Sequence, residues 1–157
     1  MPLIASTIVE VCVFRFTDNG PEYLLLKRSA GEKEYPGLWQ LVSGSIEGKE
    51  RAFEAALREL QEETGFTPEH FWVVPHVSTF YDPSNDSMNM TSVFAAQVPP
   101  GAEPRLSDEH ESFFWLRKNE GTKKLVWPGQ RQALEVVDEY IVGGAEASRF
   151  TEIPIKR

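Results

Sequence analysis

Residues 44–66 read GSIEGKERAFEAALRELQEETGF and carry the most ordered pattern in the chain. Their apolar positions recur at i, i+3, i+4 and i+7, which is the spacing of one buried helix face and predicts a helix over residues 49–64. That face consists of Phe53, Ala56, Leu57 and Leu60. Gly65 follows as a C-terminal cap, since glycine readily adopts the left-handed conformation found there.

Three carboxylates, Glu59, Glu62 and Glu63, lie on one side of this helix near its C-terminal end. Like charges three and four residues apart destabilise a helix, and the helix dipole disfavours negative charge at that end. One interpretation is a solvated helix face with an Arg58–Glu62 ion pair. The other is a divalent cation, because Mg²⁺ binds a few carboxylates together with substrate phosphate oxygens.

The flanking segments predict a mixed sheet covered by helices. Apolar and β-branched runs predict strands over residues 9–16, 23–27, 38–42, 71–74, 77–81, 91–98 and 112–116. The turn at residues 18–21 joins the first two strands into a hairpin. A last helix is expected over residues 128–142, with Leu134, Val137 and Ile141 on its apolar face. This irregular alternation favours an α/β fold with helices on both faces of the sheet.

Length and composition narrow the class of protein. A chain of 157 residues predicts one domain over residues 1–157, and no apolar run approaches a membrane span. The net charge of −8 argues against nucleic-acid binding. The single cysteine, Cys12, excludes an internal disulfide and is expected to be an inert buried thiol. Because the N-terminal residues lack the basic region of a signal peptide, we expect a cytoplasmic protein.

The same stretch resembles the Nudix box, a pattern with nine specified positions that all match here. The matching residues are Gly44, Glu50, Arg58, Glu59, Leu60, Glu62, Glu63, Gly65 and Phe66. The resemblance implies a Nudix fold, a mixed sheet sandwiched between helices, and hydrolysis of a phosphoanhydride bond. It further implies that Glu59, Glu62 and Glu63 bind Mg²⁺, with Mn²⁺ as a second choice. Arg58 would hold Glu62 in place, and Gly44 would let the loop turn sharply beneath the helix.

Segments outside the box resemble bacterial dihydroneopterin triphosphate pyrophosphatases, also known as dATP pyrophosphohydrolases. The similar segments are residues 39–47, 109–116 and 131–135. The resemblance implies that Glu109 joins the metal site from a separate loop and is a candidate general base, whereas a solvated loop acid is the simpler interpretation. Residues 82–90, DPSNDSMNM, lack the arginine which that group carries in this loop.

The substrate is less well defined by the sequence. Candidate catalytic residues are Glu62, Glu109 and Arg58, and candidate substrate-binding residues are Arg28, Trp39, Ser43, Gly44 and Tyr81. Aromatic rings could stack on a base, although most such residues belong to a core. The three histidines have no metal-site spacing and are expected to be surface or hydrogen-bonded structural residues.

Two function classes stay open. The first is a hydrolase of a small-molecule phosphate: a nucleoside triphosphate, dihydroneopterin triphosphate or a related compound, or alternatively a dinucleoside polyphosphate or nucleoside-diphosphate sugar. The second is a non-catalytic Nudix domain that binds a nucleotide as a regulator, which the intact carboxylate cluster argues against. Nudix relatives are often homodimers, but no segment of this sequence identifies an interface.

Overall fold

The structure is a computed structural model that describes residues 1–144 and 146–155. Its strands are β1 (Leu3–Ala5), β2 (Ile8–Thr17), β3 (Gly20–Arg28), β4 (Trp39–Gln40), β5 (Val42–Ser45), β6 (His70–Asp82), β7 (Ser87–Gln97) and β8 (His110–Leu116). Its helices are α1 (Ala52–Thr64), α2 (Lys118–Lys124), α3 (Pro128–Val137) and α4 (Ser148–Thr151). A turn of π-helix over Asp138–Val142 continues α3.

The strands form one mixed sheet with β2 at its centre. β2 pairs antiparallel with β3, which confirms the predicted hairpin, and antiparallel with β5 through residues 8–11. Its other edge pairs parallel with β7. β6 and β8 extend the sheet beyond β7 and β3 respectively, and β1 runs parallel to the start of β7. The short β5 therefore lies next to the central strand, which fixes the residues that lead into α1.

Two apolar cores cover the two faces of the sheet. Val9, Val11 and Val13 of β2 lie in the core beneath α1, whereas Cys12 and Phe14 point into the core beneath α3. This alternation follows from the period of two in a strand that is buried on both sides. The predicted sandwich of helix, sheet and helix is thus confirmed. Among the described residues, no helix is both long and apolar enough to cross a membrane.

Cys12 is fully buried in the central strand, as the sequence predicted. Burial, with smaller contributions from Asp138 and Glu10, raises the pKa of its thiol far above the ordinary range. The thiolate that would react with an oxidant or electrophile is therefore not accessible in the folded protein.

The single strand predicted over residues 38–42 is wrong, because the chain changes partners at Leu41. β4 pairs with β3 and β5 pairs with β2. Leu41 itself is buried in the α3 core, and its backbone N–H donates to the side-chain oxygen of Gln130 at 3.3 Å. The Gln130 side chain thus takes the place of a strand partner at Leu41, between β4 and β5. β5 then continues through Gly44 to Ser45.

The two strands predicted over residues 71–74 and 77–81 are one strand, β6, with a register shift between Val73 and Val77. Pro75 lies inside that shift, where its missing N–H removes no ladder hydrogen bond. β7 begins at Ser87, earlier than the predicted residue 91, because Ser87 and Asn89 pair with both β6 and β1. Polar side chains therefore continue a strand that the apolar pattern alone cuts short.

α1 begins at Ala52 and not at residue 49, whereas its predicted end at Thr64 with a left-handed Gly65 is confirmed. Residues 47–50 form a turn in which the Glu50 N–H donates to the Glu47 carbonyl at 3.0 Å. The Glu50 carboxylate in turn accepts from the Glu47 N–H at 2.8 Å. Gly48 has a φ of 53° within this turn, which delays the helix until after Arg51.

The apolar face of α1 predicts where substitution destabilises the fold. Leu60 is fully buried, so Leu60→Ala should lower the free energy of unfolding by about 2–5 kcal/mol. Phe53 is only partly buried against the same core, so Phe53→Ala should cost less. Urea unfolding of both variants, with the exposed Gln61→Ala as a control, tests this. A Leu60→Ala variant as stable as the wild type would show that another face of α1 is buried.

Candidate active site

The close approach of α1 to β5 depends on Gly44. A Cβ built on Gly44 would lie 2.0 Å from the carboxyl carbon of Glu59 and 2.3 Å from one of its oxygens. Gly44 lies in β5, and its φ is not positive. The reason for a glycine here is therefore space for the Glu59 carboxylate, and the expected sharp turn beneath the helix is instead made at Gly48.

Arg58 joins α1 to β5 and to the turn that precedes the helix. Its Nε and Nη2 donate to the two oxygens of Glu50 at 2.7 and 3.0 Å, and Nη2 also donates to the Ser45 carbonyl at 2.8 Å. Its Nη1 donates to Glu59 at 2.9 Å and to Glu62 at 3.2 Å. The expected Arg58–Glu62 contact is present, but the bidentate pair with Glu50 is the shorter one. Arg58 thus fixes the side chains of two acids of the predicted metal set at once.

Glu63 is the most deeply buried acid of the cluster, with a residue exposure of 2%. The backbone N–H of Ser43 binds its carboxylate, but its Oε2 has no hydrogen-bond partner among the described residues. Burial, followed by repulsion from Glu59 and Glu109, raises the pKa of Glu63 to about 9. Burial likewise raises the pKa of Glu59. Arg58 supplies a positive charge to Glu59, whereas Glu63 has no cationic partner among the described residues.

The pKa of Glu63 predicts how the stability of the metal-free protein depends on pH. Because the folded state raises this pKa above the ordinary value of 4.5, the Glu63 contribution to stability is fully present below pH 4.5 and is lost as the pH rises towards 9. In EDTA, the free energy of unfolding of the wild type should therefore fall with pH relative to that of Glu63→Gln. Urea unfolding at pH 5, 7 and 9 measures this difference. A difference that does not change with pH would contradict the burial of an ionisable Glu63.

Glu109 and His110 complete the cluster from the start of β8. Glu109 is exposed and comes directly before β8, which begins at His110 and not at the predicted residue 112. One ligand atom each of Glu63, Glu109 and His110 lie within 4.8 Å of one another. The structure thus brings the predicted loop acid to the helix carboxylates, and it adds a histidine that sequence spacing did not indicate.

His110 is buried, with an exposure of 3%, and its Nε2 lies 2.9 Å from the amide nitrogen of Gln40. Burial, with a smaller contribution from Arg28, lowers the pKa of the His110 imidazole to about 4, so the ring is neutral near pH 7. Its Nδ1 has no hydrogen-bond partner among the described residues. The sequence could not indicate a site at His110, because Glu63 and Gln40, which lie beside it, are distant along the chain.

The predicted substrate-binding residues occupy different places. Arg28 donates to the Glu34 carbonyl at 2.7 Å and to the Glu32 carboxylate at 3.3 Å, so its guanidinium anchors the loop of residues 29–37. Trp39 packs against the α3 core and stacks on Phe114 at 4.9 Å. The aromatic ring is therefore on the sheet face opposite the carboxylates.

Besides Gly44, two candidates remain, Ser43 and Tyr81, and their side chains lie away from the carboxylates. Ser43 pairs with Glu10 of β2, and the side chains of such directly opposed residues share a sheet face. That face is the one covered by α3, since Glu10 receives a hydrogen bond from Gln130. Tyr81 is exposed in the outer part of the β6–β7 hairpin and donates to Asp86 at 2.8 Å. Ser43 therefore contacts the carboxylates through its backbone N–H, which binds Glu63.

A side chain introduced at Gly44 tests whether the position of Glu59 matters for cation binding. Gly44→Ala should push the Glu59 carboxylate away from β5 and weaken divalent-cation binding about tenfold or more, because misplacing a ligand shell costs at least that much. Gly31→Ala, at a position with open space around it, is the matched control. Calorimetric titration with Mg²⁺ measures both affinities. Equal affinities for Gly44→Ala and the wild type would show that Glu59 does not need this position to bind the ion.

The fold and the site together define a small α/β protein that carries a cluster of carboxylates where α1 meets β5 and the start of β8. The model of the NUDIX domain family matches residues 7–137, which covers most of the chain. The chain therefore belongs to the Nudix family, and the domain it carries is a Nudix hydrolase domain.

Two curated proteins are similar to this chain over most of its length. A nucleoside triphosphatase NudI from Salmonella arizonae is 30% identical over 105 residues, which are 62% of this chain and 74% of that protein. An octanoyltransferase from Myxococcus xanthus is 33% identical over 120 residues, 74% of this chain. The chain matches only 33% of that octanoyltransferase, so the similarity concerns one part of a longer protein.

Solved structures confirm the fold. An Ap4A hydrolase from C. elegans, in a binary complex, aligns with a TM-score of 0.71 at 20% identity, over 87% of this chain and 97% of that one. The dihydroneopterin triphosphate pyrophosphohydrolase of E. coli aligns with a TM-score of 0.66 at 24% identity, over 83% and 95%. Since proteins with different named substrates align about equally well, the fold does not discriminate among substrates.

Proposed function

We propose that this chain is a divalent-cation-dependent hydrolase that cleaves a phosphoanhydride bond of a nucleoside triphosphate or a similar triphosphate, giving a monophosphate and pyrophosphate. The observation that carries the proposal is the buried, unpartnered carboxylate oxygen of Glu63 beside Glu59 and Glu109. A cluster of this kind is costly without a cation, and oxygen donors of this type suit Mg²⁺, with Mn²⁺ as the alternative.

The residues that would hold the cation are Glu59, Glu62, Glu63 and Glu109. When bound, a divalent cation polarises phosphoryl oxygens and lowers the pKa of a water ligand. Arg58 keeps Glu59 and Glu62 in place through its shared Nη1. Glu109, as an exposed acid on a separate segment, is the candidate general base that accepts the proton of the attacking water.

The rest of the substrate is expected to extend along β5. Gly44 points towards α1, and the side chains of Ser43 and Trp39 lie on the face covered by α3. Those two side chains can therefore contact only the part of a substrate that reaches past β5, such as a base or sugar. Arg28 would act on the substrate through the loop that it anchors, and Tyr81 only if a ligand spans the hairpin.

A panel of phosphate compounds tests this function. Nucleoside triphosphates, dihydroneopterin triphosphate, dinucleoside polyphosphates and nucleoside-diphosphate sugars are incubated with the protein and Mg²⁺ or Mn²⁺, and the products are separated by ion-exchange chromatography. We expect monophosphate and pyrophosphate from a triphosphate, as the similarity to a nucleoside triphosphatase supports. Preferential cleavage of a dinucleoside polyphosphate or a nucleoside-diphosphate sugar would show that the substrate is not a triphosphate. Nucleotide binding without turnover of any compound would favour the regulatory alternative.

We further infer that residues 1–157 act as one domain on a small molecule in the cytoplasm. The net charge of −8 supports a small-molecule substrate over a nucleic acid, since a cation bound at the carboxylates supplies the positive charge that a polyphosphate needs. Sedimentation analysis tests for a homodimer.

A further inference from the structure

The acidic cluster contains two buried polar atoms that have no partner among the described residues. One is Oε2 of Glu63, and the other is Nδ1 of His110. Ligand atoms of these two residues and of Glu109 lie within 4.8 Å of one another. Buried polar atoms in native proteins are rarely left unsatisfied, so two of them in one place indicate a ligand that binds both.

We propose that His110 contributes a nitrogen ligand, through Nδ1, to the cation site formed with Glu63 and Glu109, so that this site binds Mn²⁺ and similar transition-metal ions in preference to Mg²⁺. The proposal deepens the function proposed above and rests on it only for the location of the cation. It concerns the ligand set of the site, and it can hold whichever phosphate compound is the substrate.

The surroundings of His110 suit a ligand role. A metal-bound histidine usually donates its other ring N–H to an oxygen, which fixes the ring. Gln40 lies 2.9 Å from Nε2 and is itself buried, with an exposure of 6%. The two ends of a glutamine amide exchange places by a half-turn of the side chain. With the Gln40 oxygen turned to the ring, Nε2–H donates to it and the Nδ1 lone pair is free for the cation.

The donor set decides which ion is preferred. Mg²⁺ favours an all-oxygen octahedral shell and gives up its waters reluctantly, whereas imidazole nitrogen suits first-row transition metals. Two carboxylates and one imidazole form a mixed set in which Mn²⁺ or Co²⁺ gains from the nitrogen and Mg²⁺ gains little. The acids Glu59 and Glu62 supply oxygen donors alone, so His110 is the one described residue of this cluster that introduces the difference.

Two substitutions of His110 separate its two nitrogens. In His110→Gln, the side-chain amide is three bonds from Cβ, as Nε2 is in histidine. The variant can therefore keep the contact with Gln40, but it has no atom at the Nδ1 position that could bind a metal ion. In His110→Asn the amide lies as many bonds from Cβ as Nδ1 does, and it offers an oxygen donor there. His76→Gln, at a histidine of β6 that lies 3.3 Å from the Ser78 hydroxyl, is the matched control.

The experiment is pulsed electron paramagnetic resonance of Mn²⁺ bound to the wild-type protein and to the variants, combined with titration of the free Mn²⁺ signal. We expect a ¹⁴N modulation in the wild type that changes to that of ¹⁵N when only histidine is labelled. It should persist in His76→Gln and disappear in His110→Gln, with Mn²⁺ bound about tenfold or more weakly in the latter. His110→Asn should lose the modulation and bind Mg²⁺ in competition with Mn²⁺ better than the wild type does.

A wild-type protein that binds Mn²⁺ without a histidine modulation overturns the proposal, as does a modulation that persists in a folded His110→Gln. If His110→Gln does not fold, His70→Asn and His76→Gln decide instead: a modulation that survives in both assigns the nitrogen to His110, and loss in either overturns the assignment. The phosphate panel is scored separately. Histidine coupling without turnover would reject the hydrolase function alone, and turnover without coupling would reject the nitrogen ligand alone.

Discussion

Glu62→Gln is expected to leave the fold intact and to lower kcat about 10²- to 10³-fold, the usual size of the loss when one electrostatic contact to the transition state is removed. Glu62 is exposed, so the neutral amide costs little stability. The glutamine also keeps a side-chain oxygen that can accept a hydrogen bond from Arg58. In the wild type, Nη1 of Arg58 lies 3.2 Å from Oε2 of Glu62. What the substitution removes is one negative charge beside Glu59, on a residue that we propose as a ligand for the cation. Turnover of the preferred phosphate compound at saturating Mg²⁺ measures the loss.

The exposed Glu135→Gln on α3 is the control for a change of net charge. Thermal unfolding of both variants shows whether either loss arises from stability. Wild-type kcat in a folded Glu62→Gln would remove Glu62 from the ligand set and leave Glu59, Glu63 and Glu109.

Glu109→Ala should lower kcat about 10²-fold or more with little change in stability, because general bases typically contribute this much. The side chain is exposed at the start of β8 and contributes no apolar burial. It faces Glu63 closely enough to raise the pKa of that buried acid. Removal should therefore also lower the pKa of Glu63, which makes the metal-free variant slightly more stable than the wild type at pH 7. Steady-state kinetics and urea unfolding together test both effects.

Glu111→Ala is the matched control two residues along the chain, and it should be nearly silent. A reverse ranking would mean that the segment before β8 presents Glu111 to the site. If neither variant changes kcat, the base comes from α1, and Glu59 and Glu62 become the next candidates.

The helix and its carboxylates could be predicted because the information is local. The apolar period defined the buried face of α1, and the Nudix pattern identified Glu59, Glu62 and Glu63 as a set. Local patterns also gave the β2–β3 hairpin and the apolar face of α3. They did not give β1, which has only three residues, or α2, whose segment is polar, because pairing and packing with distant residues order both. Nor could they show the change of strand partner at Leu41, since it depends on a side chain from α3.

The features of the site that depend on side-chain burial could not be predicted from the sequence either. No local pattern indicates that Glu63 is buried and Glu62 exposed, since the two are neighbours on one helix. The pairing of His110 with Gln40 joins residues 70 positions apart, and neither belongs to a spaced motif. The prediction that Gly44 allows a sharp turn is wrong. The close approach of Glu59, which requires a glycine here, is visible only when α1 and β5 are placed together.

The position of Cys12 at the centre of β2 has a practical consequence for labelling chemistry. It is the only cysteine in the sequence and is fully buried, so maleimides and disulfide reagents should not modify the native protein. A cysteine introduced on an exposed loop can then carry a fluorophore or spin label at a single defined position, without first replacing Cys12. Since β2 pairs with strands on both edges, Cys12 should become reactive only when the central sheet opens, and the rate of its modification would report the global unfolding of the chain.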